Sequence, residues 1–191
     1  MADLNFTQSE RRNFFLPIAL AVVVLAAALA LVLCFTPHTT ANLSITHLAT
    51  WQAHTVYKSE SIEVGKDKAE DDLYVLVTLR IEDHLKLPLF LKDFTATLTT
   101  DDGRTLATSA AEKSDFQPLF ITFPGLKALA TPPLFRETQI DPGQSAEGMI
   151  LLQFPITQAD WSNRKAASLT VDLYHQSSQT ISIPADKPSA K

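Results

Sequence analysis

The sequence predicts an all-β protein, an antiparallel β-sandwich preceded by one N-terminal transmembrane helix. Three observations carry this. Residues Phe14 to Phe35 form one apolar run with no charged residue. Beyond it, short stretches rich in Val, Ile, Thr and aromatic residues alternate in polarity and are separated by turn signals. No other long segment shows helical periodicity.

The run comes first. At about 1.5 Å per residue a helix of this length covers roughly 33 Å, enough to cross the hydrocarbon core of a bilayer. A cleaved signal peptide has a shorter apolar stretch and a small-x-small exit, whereas this run leaves through Leu33-Cys34-Phe35-Thr36-Pro37. Bulky Leu33 before Cys34 also disfavours a lipoprotein signal. The run therefore reads as an uncleaved anchor, with Pro17 near the helix start, where its missing N–H costs little. Arg11 and Arg12 precede it, and the next basic residue is Lys58. That asymmetry predicts a cytoplasmic tail (residues 1–13), the anchor (14–35), a linker (36–42), an exported sandwich (43–184) and a polar tail (185–191). The expected location is a bacterial inner membrane, with the C-terminal domain periplasmic or extracellular and the lipid bilayer as the partner of the Phe14–Phe35 helix.

Composition narrows the rest. The chain carries a formal net charge of −5, and Arg11 and Arg12 offset Asp3 and Glu10, so the exported part keeps that charge with mixed signs. This argues against nucleic acid as a partner. Cys34 is the single cysteine and lies in the anchor, so a disulfide framework is excluded and the core must hold the domain. A cysteine-free exported domain points to a bacterial envelope.

The strands follow in order. Leu43 to Tyr57 reads as one strand or two joined by a bend. Asp72 to Ile81 is the clearest, with Tyr74, Leu76, Thr78 and Arg80 alternating with Leu73, Val75, Val77, Leu79 and Ile81. Leu87 to Thr100 puts Phe94, Ala96 and Leu98 on one face. Asp101-Asp102-Gly103 supplies a tight turn, and Arg104 to Thr108 returns. Glu137–Ile140 and Gly148–Phe154 flank Asp141-Pro142-Gly143, a type II turn signal. Thr157 to Asn163 reads as a single helical turn. Leu169–His175 and Thr180–Ile183 close the series.

The order Val75-x-Val77-x-Leu79, then Phe94, Leu98 and Asp102-Gly103, then Ile140, Pro142-Gly143, Gly148, Phe154 and Ile156 resembles the telokin-like, immunoglobulin-like domains of unknown function in bacterial lipoproteins and membrane-anchored envelope proteins. It covers about Asp72 to Ile183. The family's turn after the Val-rich strand is often Asn-rich, and Glu82-Asp83-His84 stands there in this chain. The resemblance implies an immunoglobulin-like sandwich of seven to nine strands and supplies no catalytic residue.

Signs of chemistry are few. No two of His38, His47, His54, His84 and His175 have ligand spacing, and no cysteine can join them. His47 and His54 fall on opposite strand faces unless a bulge intervenes. Asp71-Asp72 and Asp101-Asp102 read as turn residues, without the spaced acidic ligands of a calcium loop. Neither a Gly-x-Ser-x-Gly elbow nor a glycine-rich phosphate loop is present. The expectation is no enzyme, no cofactor and no metal.

One segment stands out. Phe116 to Phe135 is strongly apolar, Lys127 is its single charge, and Pro118, Pro124, Pro132 and Pro133 break any long helix. A connection this long inside a sandwich is often functional. One reading has Leu119, Ile121, Phe123, Leu126 and Leu129 plug the open end of the sandwich. The other leaves Phe116, Leu119, Phe120, Phe123, Leu126, Leu134 and Phe135 as contact residues for a membrane-proximal protein partner. The leading functional expectation is thus a non-enzymatic interaction or accessory module of the envelope. The alternative is a small-ligand or lipid binder with the segment as a lid, for which Phe116, Phe120 and Phe123 would line a cavity. Trp51 and Trp161 read as core or core-edge residues.

Overall fold

The structure, a computed structural model, describes residues 15–35, 40–57 and 68–185. The N-terminal tail, most of the linker, residues 58–67 and the end of the polar tail lie outside the described residues, as do the expectations that fall on them.

The chain divides into two units, one ending at His38 and the other starting at Thr39. In the first, α1 (Phe15–Phe35) is apolar on every side, and no residue of its Phe15–Val32 window is buried. A helix without a polar face belongs in a protein core or in lipid.

The second unit is an antiparallel β-sandwich. Its strands are β1 (Ala41–Tyr57), β2 (Lys68–Asp83), β3 (Leu89–Thr99), β4 (Thr105–Ser109), β5 (Gln139–Ile140), β6 (Ser145–Phe154), β7 (Ala166–Leu173) and β8 (Gln179–Ser182). One sheet runs β1-β2-β6; the other runs β4-β3-β7-β8, with β5 pairing the start of β3. Leu73, Val75, Val77, Leu79 and Ile81 of β2 meet Phe94, Ala96 and Leu98 of β3 and Leu169 and Val171 of β7 in the inter-sheet core, all at most 1% exposed. These are the residues whose period of two marked them as one face.

The turns form as their residues require. Gly103 has φ +88° and Gly143 φ +70°, the left-handed conformation that glycine adopts without penalty. Gln144 donates its N–H to the Asp141 carbonyl at 2.9 Å, closing the expected turn. The helical turn is α4 (Gln158–Ser162), where the Thr157 hydroxyl accepts from the Asp160 N–H and the Asp160 carboxylate accepts from the Thr157 N–H at 3.1 Å, a capping box. It seats fully buried Trp161 against Phe154.

Three expectations change. β1 is one strand, and a bulge between Ile45 and His47 shifts its register. Ala41, Leu43 and Ile45 face the inter-sheet core before the bulge, Leu48 and Thr50 after it, so simple alternation fails there. The bulge precedes His47, so His47 and His54 do take opposite faces. Asp71 and Asp72 are not turn residues: they lie within β2, opposite His54 and Ala53. Two further helices exist, α2 (Lys113–Thr122) and α3 (Pro124–Ala128). Pro124 is the first residue of α3, where proline is suited, and Pro118 is accommodated inside α2.

Candidate functional site

The α2–α3 segment neither plugs an end of the sandwich nor stands free. It covers the outer face of the β1-β2-β6 sheet. Because β2 and β6 are buried on both faces, their alternate residues supply a second apolar surface: Tyr74, Leu76, Met149 and Leu151, with Ala53 of β1. Phe116 and Leu126 are buried against it, and Leu119, Phe120, Phe123 and Phe135 are partly buried around them. The rings interlock. Phe123 lies 5.1 Å from Trp51 and 5.6 Å from Tyr74, and Phe116 lies 5.7 Å from Phe120 and 5.9 Å from Phe135, centroid to centroid, within the range of favourable aromatic pairs.

Gly125 permits this contact, since a Cβ there would stand 2.9 Å from Trp51 Nε1. Leu134 belongs elsewhere, in the inter-sheet core. Gly148 lets the irregular segment after α3 come close: a Cβ at Gly148 would meet the Leu134 backbone nitrogen at 2.7 Å.

Of the seven residues expected to contact a partner, Phe116, Leu126 and Leu134 are therefore buried within the domain and cannot meet one without repacking. The large apolar side chains of the segment that face solvent are Ile121 (72% exposed) and Leu129 (38%).

Arg136 fastens the cover at its exit. Its Nε donates to Asp93 of β3 at 2.7 Å, Nη1 to Glu112 at 2.7 Å, and Nη2 to the Ala110 carbonyl at 3.1 Å. Both ends of the segment and β3 are thus held by one guanidinium, whose fork suits several acceptors at once. Arg136 stands in no motif, and a lone arginine after an apolar run carried no signal in sequence.

Phe116, Phe120 and Phe123 line neither of the two clefts beside the cover. A cleft of about 460 Å³ opens beside them, between the polar side of α2 and the sheets, lined by Tyr74, Thr108, Ser109, Asp115, Pro118, Leu119, Thr122 and Gln153 among others.

Among the described residues, no three of His, Cys, Asp and Glu are placed to hold a metal ion. His54 Nδ1 lies 2.7 Å from Asp71 Oδ1 on the surface, and that hydrogen bond holds the Asp71 carboxyl below its usual range. Asp102 is lowered to about 2 by the Thr100 hydroxyl and by Arg104, which serves the turn. In the Glu82-Asp83-His84 corner, Asp83 is 4% exposed. Its Oδ1 accepts from the Leu85 N–H at 2.7 Å, and its Oδ2 has no partner among the described residues.

No protein-family model matches the chain, and no curated protein matches its sequence. Among solved structures it is similar to an uncharacterised β-sandwich protein from Clostridium difficile, with a TM-score of 0.38 and 12% identity over 78% of this chain and 89% of that one. A functionally unknown protein from Listeria monocytogenes gives a TM-score of 0.39 and 8% identity over 76% and 88%. Neither likeness carries information about activity or partners.

Proposed function

We propose that the protein is a membrane-anchored, non-enzymatic module of a bacterial envelope, whose exported immunoglobulin-like, telokin-like sandwich binds another protein close to the membrane. The observation that carries this is α1: an uncharged helix with no polar face and no buried residue, of a length that fits a bilayer. The five residues between Phe35 and β1 reach at most about 18 Å when extended. A domain so tethered meets partners of the same membrane. The contact lies on the outer side of the α2–α3 cover, around Ile121 and Leu129.

The test is photocrosslinking in intact membranes from residues 121 and 129. A specific protein adduct supports the reading, and adducts confined to lipid, or none, sink it. A C-terminal reporter that works only outside the cytoplasm checks orientation, and its inactivity would reverse the topology.

The cleft beside α2 supports a second reading, a small-ligand site roofed by α2. A compound that raises the melting temperature of the native chain, but not that of Leu119→Trp, would favour it.

A further inference from the structure

The two edges of the β1-β2-β6 sheet are treated differently. Asp83 donates its N–H to Gln144 on the β6 side and His84 donates to Thr40 on the β1 side. By alternation, odd residues of β2 bond β6 and even residues bond β1. The register then turns Met149 and Leu151 of β6 outward, and the chain covers that edge itself. Met149 bonds the backbones of Pro132 and Leu134, and the Leu151 carbonyl accepts from Ala111.

On β1 the same logic turns the backbone N–H and C=O of Leu48, Thr50, Gln52, His54 and Val56 away from β2. Among the described residues, no backbone hydrogen bond beyond the β1–β2 ladder reaches them.

This edge also lacks the usual protection. β4 and β8 are edges of 5 and 4 residues, whereas β1 has 17. Residues 41–57 contain no Lys, Arg, Asp, Glu or Pro. Among the described residues the bulge before His47 interrupts this edge, and from His47 to Tyr57 the strand keeps one unbroken register with β2.

We propose that the outer edge of β1 docks the β1 strand of a second copy of this chain, joining the two three-stranded sheets antiparallel across a two-fold axis. The exposed groups are alternating amide donors and carbonyl acceptors, which an extended backbone complements. Closed two-fold pairing of identical strand edges is antiparallel, because each residue must meet its partner reciprocally. An uncharged strand brings no like charges together when it meets itself, and every copy is held at the same membrane by its anchor, which raises the encounter frequency. This goes beyond the binding module proposed above and uses a different surface.

The experiment uses the full chain with Cys34→Ser in native membranes and in nanodiscs. Single cysteines at Gln52 (straight stretch) and Asn42 (before the bulge) are treated with a short bifunctional maleimide, and the mass in nanodiscs is measured. The expected result is a dimer that crosslinks copy to copy through Gln52→Cys and not through Asn42→Cys. Thr50→Pro removes an outward donor from each copy and spares the β1–β2 bonds, so the dimer fraction should fall roughly tenfold or more with an unchanged circular dichroism spectrum. If Thr50→Pro disturbs the fold, Gln52→Lys replaces it, since the Gln52 side chain is exposed and a charge there repels its copy across the joined edge.

A monomeric wild type overturns the proposal. So does a dimer that survives both variants, which would place the contact in the anchor, or a Gln52→Cys adduct only to a different protein. Each of these leaves the contact at Ile121 and Leu129 to be judged by its own crosslinks.

Discussion

At the residue scale, two side chains decide more than their neighbours. Arg136 is 27% exposed and reaches Asp93, Glu112 and the Ala110 carbonyl together. Lysine carries the charge but lacks the fork, so Arg136→Lys should retain one of these bonds and lose the others. Arg136→Ala is expected to cost about 1–3 kcal/mol, because Asp93 and the carbonyl lose a charged donor, with Arg136→Lys intermediate. Urea unfolding of both variants checks this, and equal stability of all three chains would show that the network holds nothing. Asp102 sets a pH dependence. Its folded pKa of about 2 lies below the usual 3.8, so its bonds to Thr100 and Arg104 contribute stability that is fully present above about pH 4. That contribution is lost as the pH falls through about 2. The difference in melting temperature between the native chain and Asp102→Asn should therefore be constant from pH 7 to about pH 4 and shrink below it. A difference that stays constant down to pH 2 would mean the carboxylate is not held by these partners.

At the element scale, what the sequence makes legible is what is local. β2, β3, the Asp-Gly and Pro-Gly turns and the α4 cap each depend on residues within a few positions, and all appear where alternation and turn chemistry place them. β1 is less legible, because an extra residue at Thr46 reverses which side chains face the core and nothing in Ile45-Thr46-His47 announces it. The cover is least legible. Pro118 and Pro124 read as breakers, yet Pro124 opens α3 and Pro118 sits inside α2, where Phe116 and Leu126 gain a buried surface that lies far off in sequence. Burial overrides a weak local preference. The tension has a measurable form. Pro118 lacks the N–H that would bond the Ser114 carbonyl and loads its ring against that turn. Pro118→Ala should stabilise the protein by about 2 kcal/mol, the helix-interior penalty less the entropy that proline removes from the unfolded chain. A chemical denaturation midpoint that does not rise would show that α2 bends around the ring without strain.

At the scale of the whole domain, the two apolar clusters are not independent. β2 gives Leu73, Val75, Val77, Leu79 and Ile81 to the inter-sheet core and Tyr74 and Leu76 to the cluster under the cover; β6 gives Ile150, Leu152 and Phe154 to the first and Met149 and Leu151 to the second. Leu134 and Ala110, which bound the cover, sit in the first cluster as well. Two strands buried on both faces therefore transmit any loss on one side to the other, since close-packed interiors do not deform smoothly. Leu126 is fully buried in the second cluster, and Leu126→Ala should cost about 2–5 kcal/mol. If the clusters share one cooperative unit, heating the variant in detergent gives a single transition at lower temperature. Amides of β3 and β7, whose buried side chains belong to the other cluster, then lose hydrogen-exchange protection by the same free energy as those of β2. If the cover is instead an appendage, a separate early transition appears and β3 and β7 keep their protection. The second outcome would make the α2–α3 cover a detachable lid, expose Tyr74, Leu76, Met149 and Leu151 as a binding face, and return Phe116 and Leu126 to the set of residues that a partner can reach.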